Sequence, residues 1–324
     1  MSAAGPTKWP ASRLRLAGLL AAGALALASG WFVGRSADEP LVPVERLSHV
    51  HGLEAPAWAG GDLFVATHTG LVRMDAADGD WYEVGDTRHD LMGFRVHPSE
   101  PGVMFGSGHP DLRSGLPNPL GFVRSDDGGV TWEAVALTGD ADFHALGVQR
   151  RDGDLLYGFD VAVAPALHRS DDGGRSWRVV DDGGALLGVG GAHTLDVHPD
   201  DPDVVLAGTP AGLLRSDDAG RSWAALAWDG VNVTAVRYAE HDARTIVAYV
   251  ADERTGLVVS DDAGRSWAPL GLVLTGGDAV GYVTPHPTDP EVLYVGSYGL
   301  EVLVTEDRGA TWRHLVRRGV PERP

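Results

Sequence analysis

The chain has no cysteine among its 324 residues. That excludes disulfides, and it excludes the lipid-modified cysteine by which bacterial lipoproteins are held. Basic residues are scarce, with 26 Lys and Arg against 45 Asp and Glu and a formal charge of −19. Nucleic acid is a poor partner for such a surface. Much of this charge sits in repeated Asp pairs and turn acids, where it reads as solvated turns. Long helical periodicity is missing after residue 34, while 44 glycines and 20 prolines indicate short strands punctuated by turns. No nucleotide or organic cofactor is indicated.

The N-terminus has a different composition. Lys8, Arg13 and Arg15 precede an uncharged stretch from Leu16 to Gly34, and Ala26-Leu27-Ala28 fits a small-residue cleavage site before Ser29. Residues 1–34 are therefore expected to be a signal peptide or, if uncleaved, a signal anchor, since about 18 apolar residues just span a bilayer. Either way the protein is expected to be exported: extracellular, at the cell surface or periplasmic. Its membrane contact is expected only through this segment. Residues 35–48 read as a linker and candidate closing strand, 49–319 as the folded domain and 320–324 as a tail.

A nine-residue phrase returns five times: RSDDGGVTW, RSDDGGRSW, RSDDAGRSW, VSDDAGRSW and VTEDRGATW. With a worn copy ending at Trp81, the six tryptophans are 51, 45, 46, 44 and 45 residues apart. A period of this size means stacked supersecondary units. In the fourth unit, His193–Val197, Val204–Gly208, GLLRS and SWAALAW are short apolar or alternating runs separated by turn residues. Four such strands make one antiparallel blade. Six units, starting near His51, Asp90, Asp142, Gly191, Val231 and Asp278, predict an all-β, six-bladed β-propeller, with seven blades as the alternative.

The phrase resembles the Asp-box of bacterial neuraminidase-type (BNR) repeats, Ser-x-Asp-x-Gly-x-Thr/Ser-Trp. Its residues here are Ser125, Asp127, Gly129 and Trp132; Ser170, Asp172, Gly174 and Trp177; Ser216, Asp218, Gly220 and Trp223; Ser260, Asp262, Gly264 and Trp267; and Asp307, Gly309 and Trp312. The expected role is structural. Ser and Asp bond the backbone of their own turn, Gly permits a conformation other residues resist, and Trp wedges between neighbouring sheets. The run HVHGL, THTGL, DLMGF, GHP to LPNPLG and DFHAL resembles exported Asp-box propellers labelled glycosyl hydrolase-like. The repeat is also similar to that of propellers that assist photosystem assembly and of receptor domains, which implies protein partners.

Aligning the blades brings chemistry together. The innermost strands begin with His51, Met92, His144 and His193 at one equivalent position, and second strands end near His68, His109 and Asp160. The start of strand one and the end of strand two share a face, so these side chains are expected around one mouth of the channel, opposite the repeated turns. His49, two residues before His51, points to the same side. The candidate ligands are thus His49, His51, His68, Met92, His109, His144 and His193. Imidazoles with a thioether suit copper first and zinc second, and surroundings read as carboxylate-poor argue against calcium or magnesium. His97, His198 and His286 recur in HPSEP, HPDDP and HPTDP, which reads as turn architecture.

The second reading is a glycoside hydrolase of non-sialidase type acting on a small glycan. It needs two facing carboxylates, for which Asp90, Asp142 and Asp160 are the candidates, with Asp111 in the second-blade insertion. A sialidase needs an arginine cluster and a tyrosine nucleophile. Phe94-Arg95-Val96-His97 runs into a His-Pro turn, and Arg175, Arg221 and Arg265 lie in the repeated turns, so no central arginine cluster is expected. The third reading is a noncatalytic assembly propeller with a protein partner.

Overall fold

Each sequence repeat folds into one four-stranded antiparallel sheet, and six sheets form the propeller. The computed structural model of the chain describes residues 41–323, apart from 163, 182, 183 and 241. The leader expected over residues 1–34 lies outside them. No helix among the described residues is long and apolar enough to cross a membrane.

Blade four shows how sequence becomes position. Its strands are Thr194–Val197, Val205–Thr209, Gly212–Ser216 and Ala224–Ala227, paired in that order. Val205–Thr209 is buried at every position, because both of its faces pack on other blades, whereas Ala224–Ala227 at the rim is half-buried or exposed. The innermost strands of the other blades are Val50–Glu54, Arg95–Val96, Phe143–Val148, Val233–Tyr238 and Val280–Pro285. Each touches the next around the ring, and Val50–Glu54 closes it against Val280–Pro285. The Thr284 hydroxyl donates to the Leu53 carbonyl across that closure.

Six apolar clusters are found among the described residues, one at each seam between neighbouring blades. Leu167 and Tyr157 of blade three meet Val205 and Leu195 of blade four, for example, while Leu63 and Val65 of blade one meet Val302 and Val316 of blade six. The segment before the first blade works at the last seam. Val44 donates its backbone N–H to Trp81 O at 2.8 Å, and Leu47 donates to Gly319 O at 2.7 Å, with Leu47 buried in the cluster. Val320–Pro321 is a fifth strand of blade six rather than part of a free tail, because the chain turns back after Arg313–Arg317 and satisfies its open edge.

The repeated phrase is a self-bonded turn. Ser216 Oγ accepts the Gly220 N–H at 2.8 Å and donates to Asp218 Oδ1 at 2.9 Å. Asp218 in turn accepts the Ser222 N–H at 2.8 Å and its hydroxyl at 2.6 Å. The pattern recurs at Ser125, Ser170 and Ser260, and Thr305 takes the serine's place in the last copy. At Gly174 the glycine is obligatory for two reasons: φ is +83°, and a Cβ would lie 1.9 Å from the Phe122 ring of the preceding blade. Trp223 donates Nε1–H to Gly220 O at 3.0 Å and packs on the cluster between blades three and four. It is half-buried, so Trp223→Ala is expected to cost about 2–3 kcal/mol, at or below the low end for a buried Trp. Chemical denaturation checks this, and an unchanged midpoint would remove the wedge role.

Hydrogen bonds hold the turn carboxylates below the ordinary range. The Ser266 hydroxyl and N–H lower Asp262 from 3.8 to about 2, and equivalent partners lower Asp172, Asp218 and Asp307. Burial opposes the same shift at Asp127, where Thr131 prevails. A lowered folded-state pKa stabilises the fold above the unfolded value, and the contribution disappears as pH falls through the folded value. Urea midpoints should therefore be flat from neutrality to about pH 5 and decline from there toward pH 2. Asp262→Asn should show a shallower decline; an identical slope would refute the assignment.

Candidate metal centre

The histidines that share a sequence register sit at β-bulges. Val50 pairs with Thr67 and Gly52 with Ala66, which leaves His51 as the extra residue; Phe143 pairs with Asp160 and Ala145 with Phe159, which leaves His144. Thr234 and Gly281 occupy the same bulge in blades five and six. In blade four His193 donates its N–H to Gly208 O at 2.8 Å, although Gly208 is the ladder partner of Thr194. A bulge re-aims the inserted side chain, here at the start of each innermost strand. Blade two departs further, for its inner strand breaks between Leu91 and Arg95. Met92 lies in the break, and Asp90–Leu91 pairs separately with Gly108–His109.

Among the described residues, two groups offer three ligand atoms within 4.8 Å of one another: His51, His68 and Asp90, and His109, Asp142 and His144. In the first, His68 Nδ1 lies 2.8 Å from Asp90 Oδ2, and His51 Nε2 lies 3.4 Å from Asp90 Oδ1. The second contact is not a hydrogen bond, and both atoms are buried without a hydrogen-bond partner. Tetrahedral bonds of about 2.1 Å place ligand atoms about 3.4 Å apart. In the second group, His144 Nε2 is 3.0 Å and His109 Nε2 is 3.9 Å from Asp142 Oδ2, and Asp142 Oδ1 is again buried and unpartnered. The Nδ1 of His109 bonds Asn118 Oδ1 at 2.9 Å, which fixes its tautomer and leaves Nε2 as an acceptor. Asn118 comes from the second-blade insertion and was not a sequence candidate.

Burial, reinforced by the imidazoles of His68, His49, His144 and His109, lowers His51 to about 4. It is therefore neutral, the form a metal ligand requires. Burial raises Asp90, with Asp142 adding to the shift while His68 and His109 oppose it. These buried carboxylates correct the expectation of carboxylate-poor surroundings. Asp142 lies two residues before His144 and bonds it, whereas Asp90 comes from the next blade to meet His51 and His68.

The other candidates are placed differently. His49 is exposed and its ring centroid is 6.4 Å from that of His51. Met92 packs its side chain over Gly108. His193 belongs to neither group; burial lowers its pKa and Asn232 of the next blade bonds it. Asp160 belongs to neither group; its Oδ1 accepts the N–H groups of Asp142 at 2.8 Å and Ala162 at 2.9 Å. Asp111 is held by Arg113, which presses its carboxyl well below the usual range. Nδ1 of His97, His198 and His286 accepts N–H groups of its own turn, such as Glu100 at 2.9 Å for His97.

An arginine cluster does exist, contrary to the sequence reading. Arg95, Arg150 and Arg237 converge with Glu54, Asp196 and Glu240 where the innermost strands end, away from the histidines. Arg237 grips Glu54 at 2.7 Å, and Arg150 reaches Asp196 at 3.1 Å and Glu240 at 2.7 Å. Paired with carboxylates, these guanidiniums are not free for an acidic sugar. Tyr282 lines the channel nearby, and burial raises its phenol, the wrong direction for a nucleophile. Arg237→Met leaves Glu54 buried with only the 3.4 Å contact to Arg95 and should cost about 3–5 kcal/mol. Glu54→Gln in the same chain should restore part of it, and denaturation of both variants tests the pairing.

No family model matches the chain, and no curated protein matches it. Among solved structures it is similar to the GH74 enzyme of Niastella koreensis, with a TM-score of 0.61 and 16% identity over 86% of this chain and 47% of that one. The chain thus spans about half that enzyme's length. It is also similar to a chain of a nidogen/laminin complex, with a TM-score of 0.57 and 14% identity over 78% and 92% of the two chains. YCF48 from Cyanidioschyzon merolae gives a TM-score of 0.49 and 15% identity over 85% and 87%. These are likenesses of fold. The residues at the mouth must speak for function themselves.

Proposed function

We propose that this is an exported Asp-box propeller that binds a divalent transition metal at the histidine-lined mouth of its channel. The observation that carries the reading is the buried pair His51 Nε2 and Asp90 Oδ1, unpartnered, at ligand-to-ligand spacing and beside His68. A buried polar atom without a partner costs about 1–3 kcal/mol, which a bound cation would recover. His68, His109 and His144 are partly exposed, so an ion has a route from solvent. Each group assembles its three ligands without a thioether. Imidazole with carboxylate favours zinc or copper(II) over the copper(I) that Met92 would have favoured. The leader pattern supports export, which matches a compartment where such ions are acquired or handed on.

Equilibrium dialysis of metal-stripped, untagged protein against zinc and copper(II) tests this. Binding should weaken at least tenfold in His51→Ala and remain intact in His198→Ala, whose imidazole only braces a turn. Failure to bind at micromolar ion, or equal loss in both variants, would discard the reading.

Two further readings rest on fold likeness. A glycosidase would use Asp90, which burial holds above the ordinary range, as its acid beside Asp142. Activity on a glycoside panel, abolished by Asp90→Asn and indifferent to chelators, would favour it over the metal. A protein partner would dock on a propeller face; one of the similar solved chains belongs to a nidogen/laminin complex.

A further inference from the structure

We propose that the two histidine–aspartate groups form one two-ion centre that captures a phosphate-type oxyanion across both ions. The inference rests on the metal reading above and extends it in stoichiometry and ligand.

Three observations carry it. First, the groups share a wall. Asp90 of the first group stands opposite His109 of the second in the short antiparallel pair Asp90–Leu91 with Gly108–His109. Cα atoms so paired are about 4.5–5.5 Å apart. Second, each group supplies three ligand atoms, so an ion of four or more coordination keeps an open position, and His68, His109 and His144 are the solvent-facing members. Third, the charge does not close. Two divalent ions would face one carboxylate each, since Asp160 belongs to neither group and its Oδ1 holds the Asp142 and Ala162 backbone. The excess positive charge calls for an anion, and a tetrahedral oxyanion offers one oxygen to each ion, as in two-metal sites.

The break in blade two is what makes the pair. In blades one and three the innermost strand runs unbroken from its bulge. In blade two Asp90–Leu91 leaves the blade's sheet and pairs with Gly108–His109, placing Asp90 toward His51 and His68 and carrying His109 toward Asp142.

The test is zinc counting followed by anion binding. Metal-stripped full-length protein is titrated with zinc, bound ions are counted by native mass spectrometry, and the dialysed, loaded protein is titrated calorimetrically with inorganic phosphate and, separately, acetate. Two ions per chain are expected, falling to one in His51→Ala and to one in His144→Ala. Phosphate should bind the two-ion protein at least tenfold more tightly than either one-ion variant, and more tightly than acetate binds. One ion in the parent overturns the two-ion centre while the metal reading stands; no ion removes both. Two ions with phosphate binding unchanged in the variants, or with acetate preferred, overturns the bridging oxyanion. Circular dichroism of each variant separates ligand loss from unfolding.

Discussion

A blade of this protein has two apolar faces and cannot bury either alone. The six clusters lie at the seams, none of them inside a single sheet, so every blade is stable only through its neighbours. Closure is then the governing constraint, because an open ring would leave two faces in water. Chain-end segments serve it: Leu47 and Gly319 join across the last seam, and Thr284 ties blade six to Leu53 of blade one.

Closure also explains why a motif with no chemistry of its own fixes the site. The Ser/Thr-Asp-Gly turns hold the third and fourth strands of blades two to six, and the tryptophan that follows packs on the adjoining blade in the manner of Trp223. Repetition of that spacing brings the start of every innermost strand to one level around the channel. The bulge at that level turns residues such as His51 and His144 out of the ladder, and local backbone irregularity brings equivalent positions of successive blades to one mouth. Where the repeat carries Thr234 or Gly281 instead, the same geometry is present without a ligand.

The blade count and the turn were legible because the phrase is written five times with little change and once in worn form. The histidine register was legible for the same reason. Asp90 and Asp142 were visible only as weak acids, because a lone Asp before a strand looks like any loop acid until its neighbours across the seam are known. Arg95, Arg150 and Arg237 are scattered over 142 positions of sequence and follow no common phrase, so their meeting with Glu54 and Asp196 is a product of ring closure alone. Asn118 lies in an insertion without periodicity, and its bond to His109 has no sequence signature.

The two ends of the innermost strands treat charge in opposite ways. At one end, three arginines and three carboxylates are buried against each other, so the charges are largely neutralised within the protein. At the other, Asp90 and Asp142 are buried among imidazoles with one oxygen of each left unpartnered. A buried carboxylate oxygen left without a partner is expensive to keep, and burial already drives Asp90 toward its protonated form. Protonation alone is an incomplete remedy there: it neutralises Asp90, yet at 3.4 Å its O–H is too far from His51 Nε2 for a good hydrogen bond. A cation shared by both atoms would satisfy the imidazole lone pair and the carboxylate together, and this asymmetry between the two ends is what the proposed metal site rests on.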